Sequence, residues 1–264
     1  MPSFLSLLIL APMLSLAMAG AWTIARLPGR SGWTDVIWSY AVGIGGIFLA
    51  LAAHPAPSSR RVLVATLIGG WSFRLGTHIL KRTLQGKDDP RYLELRRQWG
   101  RNSQWRLFIF LQVQAAAALF LLLGVDLAAR NPAVTLTWSD WVAVVLWLIA
   151  FGGEGLADRQ LRQFAREPGN KGKVDDRGLW AWSRHPNYFF EWIGWWTYPL
   201  IAIGPAGHLG WSWAALIGPA LIYLILVYGS GIPPTEAHML RSRGAAYEAY
   251  QRRVNAFFPG PTRQ

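Results

Sequence analysis

The 264-residue sequence predicts an all-α fold, a polytopic membrane protein of about seven transmembrane helices. Three observations predict it. Hydrophobic residues make up 52% of the chain and charged residues only 15%, and the apolar residues come in long uninterrupted blocks. There are 16 Trp, a residue type suited to membrane interfaces and to flat-ligand pockets. The net charge of +12 is carried by Lys and Arg lying between the apolar blocks, the distribution of an oriented membrane protein and not of a nucleic-acid binder. The absence of Cys excludes disulfides, thiolate metal sites and a cysteine nucleophile.

The first block, about Phe4 to Ile24, lacks a basic leader and continues into W-T-I-A-R without a cleavage signal, so it reads as a retained span. Arg26 to Thr34 forms a Pro/Gly turn. The second block, about Asp35 to Ala53, opens with D-V-I-W-S-Y. Asp35 at its head serves either as a helix N-terminal partner or in function, since an acid in a span is costly without a task. After a loop from His54 to Arg61 with two Pro, the third block, about Val62 to Leu80, carries Arg74 and His78. They are four apart and share a face, turned either to a polar interior or toward the headgroups by snorkelling. Lys81 to Arg106 is charged, and its part after Pro90 has the spacing of a helix lying along the membrane surface.

The fourth block is about Leu107 to Val125 and the fifth about Trp138 to Leu156, with Glu154 and Asp158 at its polar end. The sixth is about Tyr188 to Ile203 and the seventh about Trp211 to Val227, followed by a polar tail of helical pattern. The side holding the first, third and fifth loops and the tail carries nearly all the Lys and Arg, whereas the other side has Arg60, Arg61 and Arg130. That asymmetry puts the N-terminus outside and the C-terminus in the cytoplasm.

The chemistry concentrates between Asp158 and Trp196. Asp158, Arg162, Arg166, Lys171, Lys173, Arg177, Arg184 and His185 are suited to phosphates or a ribose, Arg by forked contacts. Trp180 and Trp182 offer flat faces for an adenine or nicotinamide, or pack at the interface. The ordered R-H-P-N-Y-F-F-E asks for more than charge. Pro186 suits a helix first turn, Tyr188 follows, and Asn187 and Glu191 share one face. No Ser-His-Asp, Walker, H-E-x-x-H or G-x-G-x-x-G pattern is present, and His185, His238, Glu191 and Glu236 have no diagnostic metal-ligand spacing, so no metal is expected.

The run G-L-W-A-W-S-R-H-P-N-Y-F-F-E-W-I-G-W-W, with the tail S-G-I-P-P-T-E-A-H-M-L-R-S-R-G-A-A-Y-E-A-Y-Q-R-R-V-N-A-F-F-P, resembles the steroid 5α-reductase superfamily, closest to its bacterial membrane branch. The resemblance is carried from Asp158 to the C-terminus. It implies a membrane oxidoreductase in the bacterial inner membrane, probing the cytoplasm for NADPH and reducing a carbon–carbon double bond conjugated to a carbonyl in a steroid-like lipid. It implies cofactor contacts from Asp158, Lys173, Asn187, Glu191 and His238. One transmembrane domain, 1–264, would then line a substrate pocket with its N-terminal half and hold the cofactor with residues 154–264. A monomer taking its lipophilic substrate laterally from the lipid is expected, with no nucleic-acid partner. The superfamily's adjacent Gln-Glu pair in the second span and Tyr in the third are missing, so Asp35 and Arg74, with Glu191 at the nicotinamide end, are the catalytic candidates. R-H-P-x-Y is shared with sterol C14 reductases and with isoprenylcysteine-type methyltransferases, which makes an S-adenosylmethionine-dependent methyltransferase the alternative.

Overall fold

A computed structural model describes residues 4–52, 59–86, 88–205 and 210–263. Most of the loop expected from His54 to Arg61, and Lys87, lie outside the described residues. Eleven α-helices and no strand occur among the described residues: α1 (Phe4–Ala25), α2 (Trp33–Ala52), α3 (Ser59–Thr83), α4 (Pro90–Trp99), α5 (Ser103–Ala129), α6 (Trp138–Arg166), α7 (Pro186–Trp195), α8 (Thr197–Ile203), α9 (Ile217–Val227), α10 (Ile232–Arg243) and α11 (Ala245–Arg253).

Among the described residues, five helical segments are long and apolar enough to cross a membrane: Leu5–Ala25, Trp33–Ala52, Pro90–Ala129, Trp138–Arg166 and Gly210–Arg243. The other two expected spans differ from these for visible reasons. The helix α3 is continuous over 25 residues but carries Arg74 and His78 in its body and Lys81 and Arg82 in its last turn. The sixth block is divided at Trp196 into α7, of 10 residues, and α8, of 7. At 1.5 Å per residue neither piece alone reaches across a hydrocarbon core of about 30 Å.

The chain divides into two compact units, 1–144 with 196–221, and 145–195 with 222–264. Residues 196–221 thus join the first unit.

In the first unit α2 packs along α3, and α5 packs against α1, α2 and α8. The α2–α3 contact is close because its residues are small. A Cβ on Gly43 would stand 2.0 Å from Ser72 Oγ, and Ser72 Oγ donates to the Ser39 carbonyl at 2.9 Å. Small residues spaced at four let two apolar helices bring their backbones together. Ser15 donates to Gln112 at 2.6 Å and Trp22 to the Gln104 carbonyl at 3.1 Å, which ties α1 to α5.

The three arginines on the Lys/Arg-poor side are all engaged in this unit. Arg60 and Arg61 belong to the first turn of α3, not to the preceding loop. Arg60, 2% exposed, forks onto both oxygens of Asp140 at 2.9 Å and donates to the carbonyls of Asn131, Ala133 and Thr135. Arg61 donates to the Ala50 and Leu51 carbonyls at the end of α2, groups a helix leaves unbonded. Arg130 Nε donates to both oxygens of Asp126, one turn back, at 2.8 and 2.9 Å. These cations hold backbone turns and a helix start.

The turn before α2 and the start of α4 form one polar unit. Asp88 accepts from the amides of Gly29 and Ser31, each at 3.0 Å. Asp89 caps α4 by accepting from the Arg91 amide at 2.9 Å, with Pro90 following at the first helical position. The surface-lying helix expected after Pro90 is therefore α4, which buries Tyr92 and Glu94 and exposes Leu93 and Arg97.

The second unit contains most of α6, two 3-10 turns at Pro168–Asn170 and Gly178–Ala181, the helix α7, the end of α9, and α10 and α11. Its aromatic core joins Phe189 and Trp192 of α7 to Tyr223 and to Phe257 in the tail, with ring centroids 5.4 to 6.0 Å apart. The tail is stitched to the turn before α7. The Arg184 amide donates to the Asn255 carbonyl at 2.9 Å and the Gly260 amide to the Trp182 carbonyl at 3.0 Å.

Candidate functional site

Within the second unit the R-H-P sequence closes on Glu236 of α10. Arg184 donates from Nε and Nη2 to the two Glu236 oxygens at 2.7 and 3.2 Å. Its Nη1 donates to the carbonyls of Gln251 and Val254 at 3.1 and 2.5 Å. His185 Nε2 lies 3.0 Å from the same carboxylate, and the Gln251 amide donates to it at 2.7 Å. Burial pushes the His185 imidazole below its ordinary 6.5, against the upward pull of Glu236. Ser183 donates to the Phe257 carbonyl at 2.9 Å and Tyr250 to the Trp180 carbonyl at 2.5 Å. Arg184 and His185, expected among the phosphate ligands, instead bind the C-terminal helices to the start of α7. Glu236, at the centre of this clamp, enters the sequence reading only as a metal-ligand candidate, because nothing local marks it as the partner of Arg184.

Next to the clamp is a buried polar cluster. Glu154 and Asp158 lie one turn apart on α6 and are each 6% exposed; Glu191 of α7 is 9% exposed. Asn187 Nδ2 approaches Asp158 Oδ1 at 3.4 Å, so the structure brings these two expected cofactor residues together. Trp195 Nε1 donates to Glu191 Oε1 at 2.8 Å, which orients that carboxylate. Tyr188 stacks on His185 with ring centroids 5.4 Å apart. Trp180 is buried and donates to the Ala157 carbonyl at 3.0 Å, whereas Trp182 is exposed. Beyond Asp158 the cations Arg162, Arg166, Lys171 and Lys173 are exposed. Arg177 sits within 4 Å of both Glu167 and Asp175. His238 is half-buried on α10, two residues beyond Glu236 and so on another face of that helix. No group of three or more His, Asp or Glu side chains among the described residues is placed to hold a metal ion.

In the first unit both oxygens of Asp35 accept hydrogen bonds. Arg91 donates to Oδ2 and the Tyr92 hydroxyl to Oδ1 at 2.7 Å. Arg91 also binds Asp89, which takes a further contact from Arg82. Burial alone would raise Asp89, but Arg91 and Arg82 hold its carboxyl well below the usual 3.8. The partners of Asp35 are thus Arg91 and Tyr92 of α4, and Arg74 stands half-buried on α3. Tyr92, 3% exposed, was missed from sequence because it lies in a charged segment read only for membrane orientation.

Long apolar helices, five segments of them sufficient to cross a membrane among the described residues, define the class of an all-helical protein consistent with membrane insertion. Residues 21–254 match the family described as protein of unknown function (DUF1295), and the chain belongs to that family. It is also similar to an uncharacterized protein of Schizosaccharomyces pombe, 26% identical over 270 residues, a match covering 90% of this chain and 75% of the yeast protein.

Proposed function

We propose that this protein is a membrane reductase of the steroid 5α-reductase type, transferring hydride from NADPH to a carbon–carbon double bond conjugated to a carbonyl in a lipophilic substrate. The observation that carries the reading is the pairing of Asp158 with Asn187, one turn from buried Glu191, with exposed Arg162 and Arg166 one and two turns further along α6 and exposed Lys173 in the loop that follows. A carboxylate and an amide suit ribose hydroxyls, and the cations suit phosphates. Arg184 and His185 do not suit them, being committed to Glu236. When bound, NADPH supplies the hydride. Glu191, fixed by Trp195, orients the nicotinamide end. Negative charge then grows on the substrate carbonyl oxygen, and a donor there stabilises the transition state. Asp35, whose two oxygens accept from Arg91 and Tyr92, supports the donor network proposed for that carbonyl. Reduction is completed by one proton from solvent. About seven spans, with the Lys- and Arg-rich side and C-terminus in the cytoplasm of a bacterial inner membrane, agree with the charge distribution.

One observation favours a methyltransferase as the second reading. Asp158, bonded to Asn187, and Glu191, one turn beyond Asn187, are buried acids, which also suit the sulfonium cation of S-adenosylmethionine. Thermal unfolding of the purified protein in neutral detergent separates the two. NADPH at about 100 times its Kd adds roughly 2.7 kcal/mol of stability and raises the midpoint, and S-adenosylmethionine does not. Stabilisation by S-adenosylmethionine with none from saturating NADPH replaces the reductase by the methyltransferase.

A further inference from the structure

The exposed side of α6 within the second unit is a continuous apolar stripe. Val145, Leu148, Ile149 and Leu156 are 56%, 57%, 53% and 47% exposed. Their spacing of three, one and seven keeps them on one face of the helix. The stripe leads into a groove of about 500 Å³ walled by Leu156, Leu179, Trp182, Phe189, Phe190 and Pro259. Gln160 also lines it, but its Oε1 already accepts from the Leu179 amide at 3.0 Å, so this side chain is held by the wall itself. The groove therefore offers hydrocarbon surface and little else.

A cation closes the stripe. Arg159 comes three residues after Leu156 and beside Gln160, on the same side of α6. It is exposed and has no hydrogen-bond or ion-pair partner among the described residues. Asp158 and Glu154 are buried on another face of the helix, whereas exposed Arg166, seven residues after Arg159, continues this one.

An apolar track ending in exposed cations, Arg159 nearest to it, is complementary to a molecule with a hydrocarbon chain and an anionic head. A soluble anion would leave the groove wetted, and a neutral chain would leave Arg159 uncompensated. The helix itself is long and apolar enough to cross a membrane, which puts such amphiphiles alongside it. We propose that this groove binds an anionic phospholipid of the surrounding bilayer, its phosphate at Arg159 and one acyl chain in the groove and along the α6 stripe.

The test uses the full chain, stripped of lipid in neutral detergent, with native mass spectrometry to count retained lipids. Phosphatidylglycerol and phosphatidylcholine with identical acyl chains are compared. The anionic lipid is expected to be retained about fivefold more strongly, the share of one basic side chain near an anionic surface. Arg159→Gln removes that preference without changing the thermal midpoint. Leu156→Asn, at a half-exposed position, weakens retention of both lipids. Glycerol phosphate, which has the head but no chain, is not retained. Equal retention of the two lipids by the unaltered protein overturns the proposal, as does a preference that survives Arg159→Gln. A Leu156→Asn protein that keeps both lipids overturns the groove as the chain site. The readout needs neither NADPH nor turnover, so it fails or succeeds independently of the reductase reading.

Discussion

Glu236 is where the sequence motif and the tertiary structure meet. Its carboxylate takes Arg184 in a fork, His185 and Gln251 together. With Arg184 and Glu236 only 11% and 13% exposed, water offers little replacement for either partner. Glu236→Gln keeps the shape but removes the charge opposite Arg184, leaving a largely buried guanidinium unpaired. The expected loss is about 3 kcal/mol, seen as a lower unfolding midpoint and as earlier proteolysis of the tail. An unchanged midpoint would mean that the arginine is held well enough by the Gln251 and Val254 carbonyls alone. A different outcome is expected at the residues given a chemical role. Asp35→Asn, Tyr92→Phe and Glu191→Gln should slow turnover of an NADPH-saturated protein by at least about tenfold while the NADPH-induced rise in the midpoint persists. Wild-type rates in all three would remove the catalytic assignment and leave the cofactor site standing.

At the scale of helices, the α2–α3 pair shows how composition becomes geometry. Apolar helices gain nothing from hydrophobicity against one another inside lipid, so they associate through close packing. Gly43 provides that closeness against Ser72, and a side chain there meets Ser72 Oγ and Cβ, which belong to a short, stiff residue unable to swing away. Gly43→Val should cost about 1–3 kcal/mol of stability, read by thermal unfolding in detergent. A Gly43→Val protein as stable as the parent would mean that α2 and α3 can separate without penalty. The expected sixth span covers both α7 and α8 because W-I-G-W-W-T-Y-P-L is largely apolar, and hydropathy does not register the interruption of the helix at Trp196. Pro199 at the third position of α8 is tolerated because it falls in a first turn.

For the whole molecule, two groups predict how stability follows pH. His185 in the fold lies below its ordinary 6.5, so the unfolded chain binds a proton first and stability is lost as pH falls from about 6.5. Asp89 lies below its ordinary 3.8, so its contribution is present above that value and is lost as pH falls through and beneath it. Unfolding midpoints measured from pH 8 to pH 3 should therefore decline in two stages. His185→Gln should flatten the stage beginning near 6.5, and Asp89→Asn the stage below about 4. A decline of unaltered shape in both variants would assign the acid sensitivity to other groups.

The sequence by itself determined the helical class, the long apolar segments, the start of a helix at Asp89-Pro90, and the shared face of Asn187 and Glu191. Each of these is a local property. Apolar runs of sufficient length must bury their backbone polar groups in helices, a capping acid before proline starts a helix, and residues four apart on a helix share a face. Only the tertiary structure decided which charges are committed. Arg184 and His185 look identical in sequence to phosphate ligands, and Asp35 looks as ready to meet Arg74 as Arg91. The partner of a charge is set by segments far away in the chain, Glu236 lying 52 residues from Arg184 and Arg91 lying 56 from Asp35. No local pattern encodes that choice, because it follows from which side chains the packed helices bring within hydrogen-bond reach once water is excluded.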